Sequence, residues 1–371
     1  MKSLKVCLIS NQIAAWGKIG GFGTATRALG SALAERGIDV SAVVVRRSEN
    51  GQKPYEELDG IKVYGPSHFK TLVSGDVFRK IDADIYQSQE PTIATYLAQK
   101  AMPDRAHVVT CRDPRDWREQ LVELRFTNWK RRVMYPLSWY YEASPWVKRS
   151  VRRADVVLMP APTTLIPRIH DLYGDSVEPR FVPYPVDIPS AAPQKSSTPT
   201  VLFVGRFDHR KRMERFFELA ARFPDLKFIA VGEAHDKQYD SYLRQKYGHL
   251  PNLEMPGYVP RFGEQTVSDY YEKAWILVNT SAREGLPYTF MEAAAYGVAL
   301  LSALDPEKFA SRFGYFCEND DFEDGLRYLL KDNAWRRLGE RGARFIAETW
   351  NERNCVDQHL GVYRELLGLS E

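Results

Sequence analysis

Val201-Leu202-Phe203-Val204-Gly205-Arg206-Phe207-Asp208-His209-Arg210-Lys211-Arg212-Met213 runs from a wholly apolar segment through a glycine into a basic stretch. An apolar run of this kind marks a strand buried on both faces, as in parallel sheets covered by helices. Gly205 permits a sharp bend, and the pattern from Met213 to Arg222 predicts a helix. The same alternation continues with Phe228 to Val231, Gln238 to Tyr247, Trp275 to Asn279, Pro287 to Tyr296 and Val298 to Leu301. Upstream it runs through Leu4 to Ile9, Thr24 to Arg36, Val40 to Val45, Ile85-Tyr86, Val108 to Thr110 and Val156 to Met159. Strands alternating with helices predict an α/β fold with parallel sheets. A chain of 371 residues is long enough for two such domains.

The joint falls in Pro183-Tyr184-Pro185-Val186-Asp187-Ile188-Pro189-Ser190-Ala191-Ala192-Pro193, where prolines exclude a helix or a central strand. The expected organisation is a first Rossmann-like domain over 1–182, a linker over 183–193, a second Rossmann-like domain over 194–349 and a last helical segment over 350–371. Composition supports globular domains: 44% of residues are hydrophobic, 27% are charged, and no apolar run approaches the roughly 20 residues that span a bilayer. Met1 to Lys5 leads straight into a short apolar strand with no leader-like core, which predicts a cytoplasmic protein. Cys7, Cys111, Cys317 and Cys355 are scattered, suggesting neither a zinc site nor a disulfide framework. A net charge of +3 is too small to argue for nucleic acid.

The basic run ending in Lys211 stands before a helix start, where the helix dipole favours negative charge, and a bound diphosphate would resolve the conflict. Arginine offers a planar fork to phosphate oxygens and lysine a mobile point charge, so Arg206 and Lys211 suit a charged leaving group. A second element reads Ser281-Ala282-Arg283-Glu284-Gly285-Leu286-Pro287-Tyr288-Thr289-Phe290-Met291-Glu292. Pro287 suits a first helical turn and Gly297 a position just past the last, so Glu284 falls in the loop and Glu292 within the helix. Carboxylates on either side of a helix start can accept hydrogen bonds from sugar and ribose hydroxyls. Glu292 lies in an otherwise apolar helix and requires a dedicated partner.

Gly205-Arg206 with Lys211, followed by Glu284-Gly285-Leu286-Pro287 with Glu292, resembles the G-R-x(4)-K and E-G-x-P-x(4)-E segments of retaining glycosyltransferases of the GT-B architecture, family 4. The resemblance extends to Gly20-Gly21-Phe22-Gly23, to Gly257-Tyr258 and to a C-terminal helix that in the family returns to the first domain. It implies two Rossmann-like domains with parallel sheets facing an interdomain cleft, and transfer of a sugar from a nucleoside diphosphate sugar with retention of anomeric configuration. It implies no cofactor and no metal. Carried over, Arg206 and Lys211 hold the diphosphate, Glu292 the ribose and Glu284 a hydroxyl of the transferred sugar, making Arg206, Lys211 and Glu284 the catalytic group. Gly205, Gly285, Leu286 and Pro287 shape that donor site, backbone near Tyr258 meets the base, and Gly20 and Gly21 bring backbone close to phosphate or sugar. The first domain is left for the acceptor, a glycan, lipid or small molecule.

Thr110-Cys111-Arg112-Asp113 departs from the family, which commonly has histidine where Arg112 stands. Arginine takes up no proton at neutral pH, so Arg112 and Asp113 mark an unusual acceptor or catalytic side, and a nucleotide-sugar-binding protein without transfer is an alternative. Gln87 and Gln89 also stand where histidines are frequent. An NADP-dependent oxidoreductase is a remote alternative, because Gly17 to Gly23 lacks the third small residue and the second strand ends in Arg46-Arg47 rather than an acid. Asp82-Ala83-Asp84 matches a D-x-D metal pattern but also an ordinary strand entry, the preferred reading. Finally, Arg125, Lys130, Arg131, Arg132, Lys148, Arg149, Arg152 and Arg153 interleave with Trp129, Trp139, Tyr140, Tyr141 and Trp146, with Glu142 the one acid. That mixture suits the inner face of an anionic membrane, although ordinary helix packing with solvated arginines is the simpler expectation.

Overall fold

The computed structural model describes residues 3–14, 16, 20–46, 52–66, 74–127, 129–261 and 266–369, and only the backbone of residues 129–131, 134, 138, 141 and 142. Its contacts divide the chain into two units, one of Met1–Leu124, Asn128–Pro185 and Glu352–Glu371, the other of Arg125–Thr127 and Val186–Asn351.

The first unit is built on β1 (Lys5–Ile9), β2 (Asp39–Val43), β3 (Tyr55–Leu58), β4 (Ile61–Tyr64), β5 (Ile85–Ser88), β6 (Ala106–Thr110), β7 (Val156–Met159) and β8 (Pro179–Phe181). They form one sheet in the order β3-β4-β2-β1-β5-β6-β7-β8. Every pairing is parallel except the β3–β4 hairpin, which turns at Asp59-Gly60 with both residues at positive φ. The first helices are α1 (Gly21–Glu35), α2 (Asp76–Ile81) and α3 (Ile93–Ala101). There follow α4 (Trp117–Arg125), α5 (Trp129–Ala143), α6 (Pro145–Arg152) and α7 (Pro162–Tyr173). Val6, Leu8, Ile85, Val108 and Leu158 line one core beneath the central strands.

The second unit has β9 (Thr200–Val204), β10 (Lys227–Val231), β11 (Leu253–Gly257), β12 (Ile276–Asn279), β13 (Ala299–Ser302) and β14 (Gly314–Phe316), in the order β11-β10-β9-β12-β13-β14. All its pairings are parallel. Its helices are α8 (Met213–Arg222), α9 (Lys237–Tyr247), α10 (Val267–Lys273), α11 (Tyr288–Ala295), α12 (Phe309–Phe313), α13 (Phe322–Leu330) and α14 (Ala334–Thr349). Phe203, Phe207, Phe216, Phe217, Phe228 and Trp335 dominate its core. Gly297 sits at φ 67° just past α11, and Gly339 of α14 lies so close that an added Cβ would strike the Gly297 carbonyl. This backbone approach fixes the end of α11, which carries Glu292.

No regular element intervenes between β8 and β9, where the prolines cluster. The last helix, α15 (Glu352–Leu367), belongs to the first unit. Val356, Leu360, Val362 and Tyr363 join the core of that unit, the Tyr363 hydroxyl donates to Gln87 Oε1, and Arg180 makes a forked pair with Glu365 at 2.6 and 2.9 Å. No described helix is long and apolar enough to cross a membrane.

Candidate donor site and its surroundings

In each sheet the strand order reverses beside the first strand of the unit: between β1 and β5 in one, between β9 and β12 in the other. Loops leaving neighbouring strands part at such a point and open a crevice at the carboxyl ends, the usual ligand position in open α/β sheets. The β9 loop brings Arg206 and Lys211 to that point in the second unit, and the β12 loop brings Glu284.

The loops are knitted together by backbone. Gly205 N–H donates to Val231 O at 3.0 Å, Ala282 N–H to Arg210 O at 2.9 Å and Gly232 N–H to Gly257 O at 2.8 Å. Gly232, at φ 135°, has no room for a side chain: a Cβ there would collide with the Gly205 carbonyl oxygen. Arg212 forks onto Asp320 at 2.7 and 2.9 Å and donates to Thr280 O at 2.6 Å, bracing the loop from behind.

Lys211 Nζ pairs with Glu284 Oε1, Arg210 lies 3.4 Å from Oε2, and Ser281 Oγ donates to Oε1 at 3.0 Å. Burial alone would raise the pKa of Glu284, but the Lys211 and Arg210 charges and the hydrogen bonds from Lys211 and Ser281 bring it down to about 2. The carboxylate is therefore ionised throughout the physiological range and acts as an acceptor rather than a proton donor. Arg206 is held by Asp208 at 3.0 Å. The charge conflict read from the basic run is thus corrected: Asp208, Glu284 and Asp320 balance it internally, and two of these acids lie too far along the chain for a local reading to find.

Glu292, inside α11, has the partners its apolar helix demands: Arg261 is paired with Oε1 and the Tyr271 hydroxyl donates to Oε2 at 3.0 Å. Tyr258 follows β11 and is 47% exposed, beside Gly257 at φ 83°. Pro287 is the N-cap of α11, one residue before the expected first turn, and its carbonyl accepts from Phe290 N–H at 2.9 Å. Asp208, Arg210, Ser281, Gly232, Arg261 and Tyr271 escaped the sequence reading. Arg210 and Asp208 were visible inside the quoted run, whereas nothing local couples Arg261 or Tyr271 to Glu292.

In the first unit, Gly20 caps α1 and Gly21 begins it. Arg112, after β6, is 3% exposed and fully engaged. Its Nε donates to the Tyr184 hydroxyl at 2.6 Å, Nη1 to Phe22 O at 2.9 Å and Thr26 Oγ1 at 3.3 Å, and Nη2 to Gln89 Oε1, with the guanidinium stacked 4.1 Å from the Tyr184 ring centre. It ties the glycine loop to β5 and to the segment after β8, so its side chain positions backbone. Asp113 lies 4.0 Å from Arg168 and lines a small pocket with Asn11, Glu90 and Arg115. Asp82 and Asp84 are held by Arg105 at 2.6 and 3.6 Å, and Asp84 Oδ2 accepts from Lys5 N–H at 2.9 Å, a strand-entry role.

Residues 187–345 match the family model described as Glycosyl transferases group 1. The match spans the second unit from the linker to α14 and takes in Arg206, Lys211, Glu284 and Glu292. Among curated proteins the chain is similar to the amylovoran biosynthesis glycosyltransferase AmsD of Erwinia amylovora, 23% identical over 169 residues, 41% of this chain and 47% of that protein. It is also similar to an uncharacterized glycosyltransferase of Haemophilus influenzae, 23% identical over 181 residues, 45% of this chain and 50% of that one. The matches thus span about half the length of these relatives. Solved structures are alike over nearly the whole chain. Sucrose-phosphate synthase of Thermosynechococcus elongatus has a TM-score of 0.77 at 18% identity, covering 99% of this chain and 100% of that one. Anabaena HepE with UDP gives 0.71 at 13%, covering 98% and 100%. The pneumococcal O-GlcNAc transferase GtfA with UDP and GlcNAc gives 0.72 at 10%, covering 99% and 100%. The fold is that of the GT-B glycosyltransferases, and the second unit carries a group 1 glycosyl transferase domain.

Proposed function

We propose that this chain is a glycosyltransferase that takes a sugar from a nucleoside diphosphate sugar, with retention at the anomeric carbon and with protein charge rather than a metal stabilising the leaving diphosphate. The observation that carries this reading is the convergence of Arg206, Arg210, Lys211 and Glu284 at the switch point of the second sheet, within the stretch that matches the transferase family. Arg206 and Lys211 take the diphosphate, and their present partners, Asp208 and Glu284, hold them in place until it arrives. Ionised Glu284 accepts a hydroxyl of the sugar, Glu292 accepts the ribose, and backbone at Gly257-Tyr258 meets the base. The HepE structures hold UDP, UDP with glucose, or UDP-glucose, and GtfA holds UDP with GlcNAc, which makes a uridine donor the first to test. Glu284 is bound by two cations rather than free as a nucleophile, so same-face displacement is the favoured route to retention. Trapping a glycosyl adduct on Glu284 would overturn that route.

The test is a thermal-shift screen against nucleoside diphosphates and their sugar conjugates, because a ligand bound only by the folded chain raises Tm. UDP or another diphosphate should stabilise the chain, and the free nucleosides should not; no shift with any of them removes the donor site. A second reading follows from Arg112. Its buried guanidinium is occupied by hydrogen bonds and takes up no proton, so a chain that binds the donor without transferring the sugar fits the same fold. Donor hydrolysis or transfer by purified protein separates the two readings.

A further inference from the structure

Amphipathic helices of a folded domain ordinarily turn their apolar stripe inward. Between β6 and β7, two helices of the first unit do the opposite. In α5, Val133, Leu137 and Tyr140 recur at i, i+4 and i+7, on one face, and are 72%, 63% and 49% exposed. In α4, Trp117 and Leu121 are spaced i, i+4 and are 63% and 49% exposed. With Trp139 and Trp146, seven of the thirteen exposed large apolar side chains among the described residues fall between Trp117 and Trp146. The helices are linked: the Tyr135 hydroxyl donates to Gln120 Oε1, Arg132 Nε donates to Leu124 O at 3.1 Å, and the Tyr140 and Trp146 rings meet edge to face at 6.1 Å. Trp139, Tyr140 and Trp146 are 42%, 49% and 47% exposed, so each is covered only in part by the helix contacts expected of this segment. The side chains of Trp129, Lys130, Arg131, Tyr141 and Glu142 lie outside what the structure describes.

The neighbouring helix supplies charge. α6 buries Val147, Ser150 and Val151, which turns Lys148, Arg149 and Arg152 outward, and these line an open groove with Arg153, Ala143 and Pro145. Arg118 and Arg132 are exposed on α4 and α5; of the acids on α4, Glu119 is taken by Arg168 at 3.0 Å and Glu123 is half-buried. A second copy of the chain is a poor occupant, because a closed twofold sets the same patch against itself and would bring both basic rims together. A lipid surface with anionic headgroups meets every feature. Valine and leucine reach the acyl boundary, tryptophan and tyrosine sit at headgroup depth, and lysine and arginine meet phosphate.

We propose that α4, α5 and α6 of the first unit form a peripheral docking surface for an anionic lipid bilayer. The surface lies on the membrane without crossing it, and it is independent of the donor site.

The full chain is tested by co-sedimentation with vesicles of phosphatidylcholine alone and of phosphatidylcholine containing ~30% phosphatidylglycerol. Binding is expected to the anionic vesicles only and to weaken at least about tenfold as salt rises from ~50 to ~300 mM. The double variant Arg149→Glu, Arg153→Glu and the single variant Leu137→Glu change exposed side chains, and each should lower partitioning by about tenfold or more. Their melting temperature and nucleotide-induced shift should match the parent chain, which separates lost docking from lost folding. No binding at low salt, equal binding to neutral vesicles, or variants that bind like the parent would each overturn the proposal. So would a dimer in sedimentation that Leu137→Glu dissociates, since the surface would then belong to a second copy.

Discussion

At the scale of single residues, the pairing of Lys211 and Arg210 with Glu284 governs what substitution does. Lys211→Ala removes one cation and leaves Arg210 beside the carboxylate, so the loop keeps a counter-charge and the chain still folds. The loss should appear in transfer: Lys211→Ala or Arg206→Ala is expected to cost roughly 2 to 4 kcal/mol of transition-state stabilisation, a fall in turnover of about 10² to 10³. Steady-state kinetics with the donor found by the thermal screen checks this, and unchanged turnover in both variants would discard the site. Arg112 is expected to behave differently. Arg112→His strips hydrogen bonds to Phe22, Thr26, Tyr184 and Gln89 and opens a gap in a buried position. It should lower the urea midpoint, by about 1 to 3 kcal/mol in stability, while nucleotide binding by the second unit persists. An increase in transfer would instead mean that a histidine at this position does the work. The sequence makes Arg206, Lys211, Glu284 and Glu292 legible because each belongs to a spaced motif. It conceals the partners of Glu292, since Arg261 and Tyr271 become its neighbours only once the chain is folded.

At the scale of elements, the donor loops depend on backbone approaching backbone. Gly232→Ala places a methyl against the Gly205 carbonyl and forces a non-glycine residue to φ 135°. It should destabilise the chain by about 1 to 3 kcal/mol and also weaken nucleotide binding, because the displaced carbonyl precedes Arg206. Gly361→Ala, in α15 with nothing within 4 Å of the added Cβ, is the control and should gain stability slightly. Calorimetry with and without nucleotide compares them; equal Tm and equal affinity for Gly232→Ala would mean that the loop relaxes freely. The same elements account for what the sequence yields about the fold. β1, β2, β5, β6, β7, β9, β10, β12 and β13 sit inside their sheets and read as apolar runs, because both faces are covered. β3, β8, β11 and β14 lie at the margins, where exposure admits Glu56, Glu57, Arg180 and Glu254 and blurs the run. The β3–β4 hairpin had one local signal, Asp59-Gly60, which carries more information than the strands it joins.

At the scale of the whole molecule, acid should weaken the chain in two successive windows, one set in each unit. His359 lies on α15, fully enclosed in the first unit; burial lowers its pKa, the Cys355 carbonyl opposes this and the Arg112 charge adds to it, leaving the pKa at about 4 against an ordinary 6.5. Between those values the unfolded chain binds a proton that the folded chain refuses, so stability is full above pH 6.5 and falls as pH drops towards 4. The loss approaches ~3 kcal/mol. Glu284, in the second unit, has its pKa depressed from 4.5 to about 2, so its contribution is present above pH 4.5 and disappears as pH falls through 2. Urea midpoints measured across this range should decline from pH 6.5, before the bulk of surface carboxylates titrate. His359→Leu fills the same pocket with an apolar side chain that cannot take up the proton, so it should shrink the upper window to the part left by His107, whose pKa burial also lowers, and leave the lower one intact. An unchanged slope between pH 6.5 and 4 in that variant would mean that His359 is free to ionise in the folded chain, and that the return of α15 to the first unit is looser than its buried Val356, Tyr363 and His359 require.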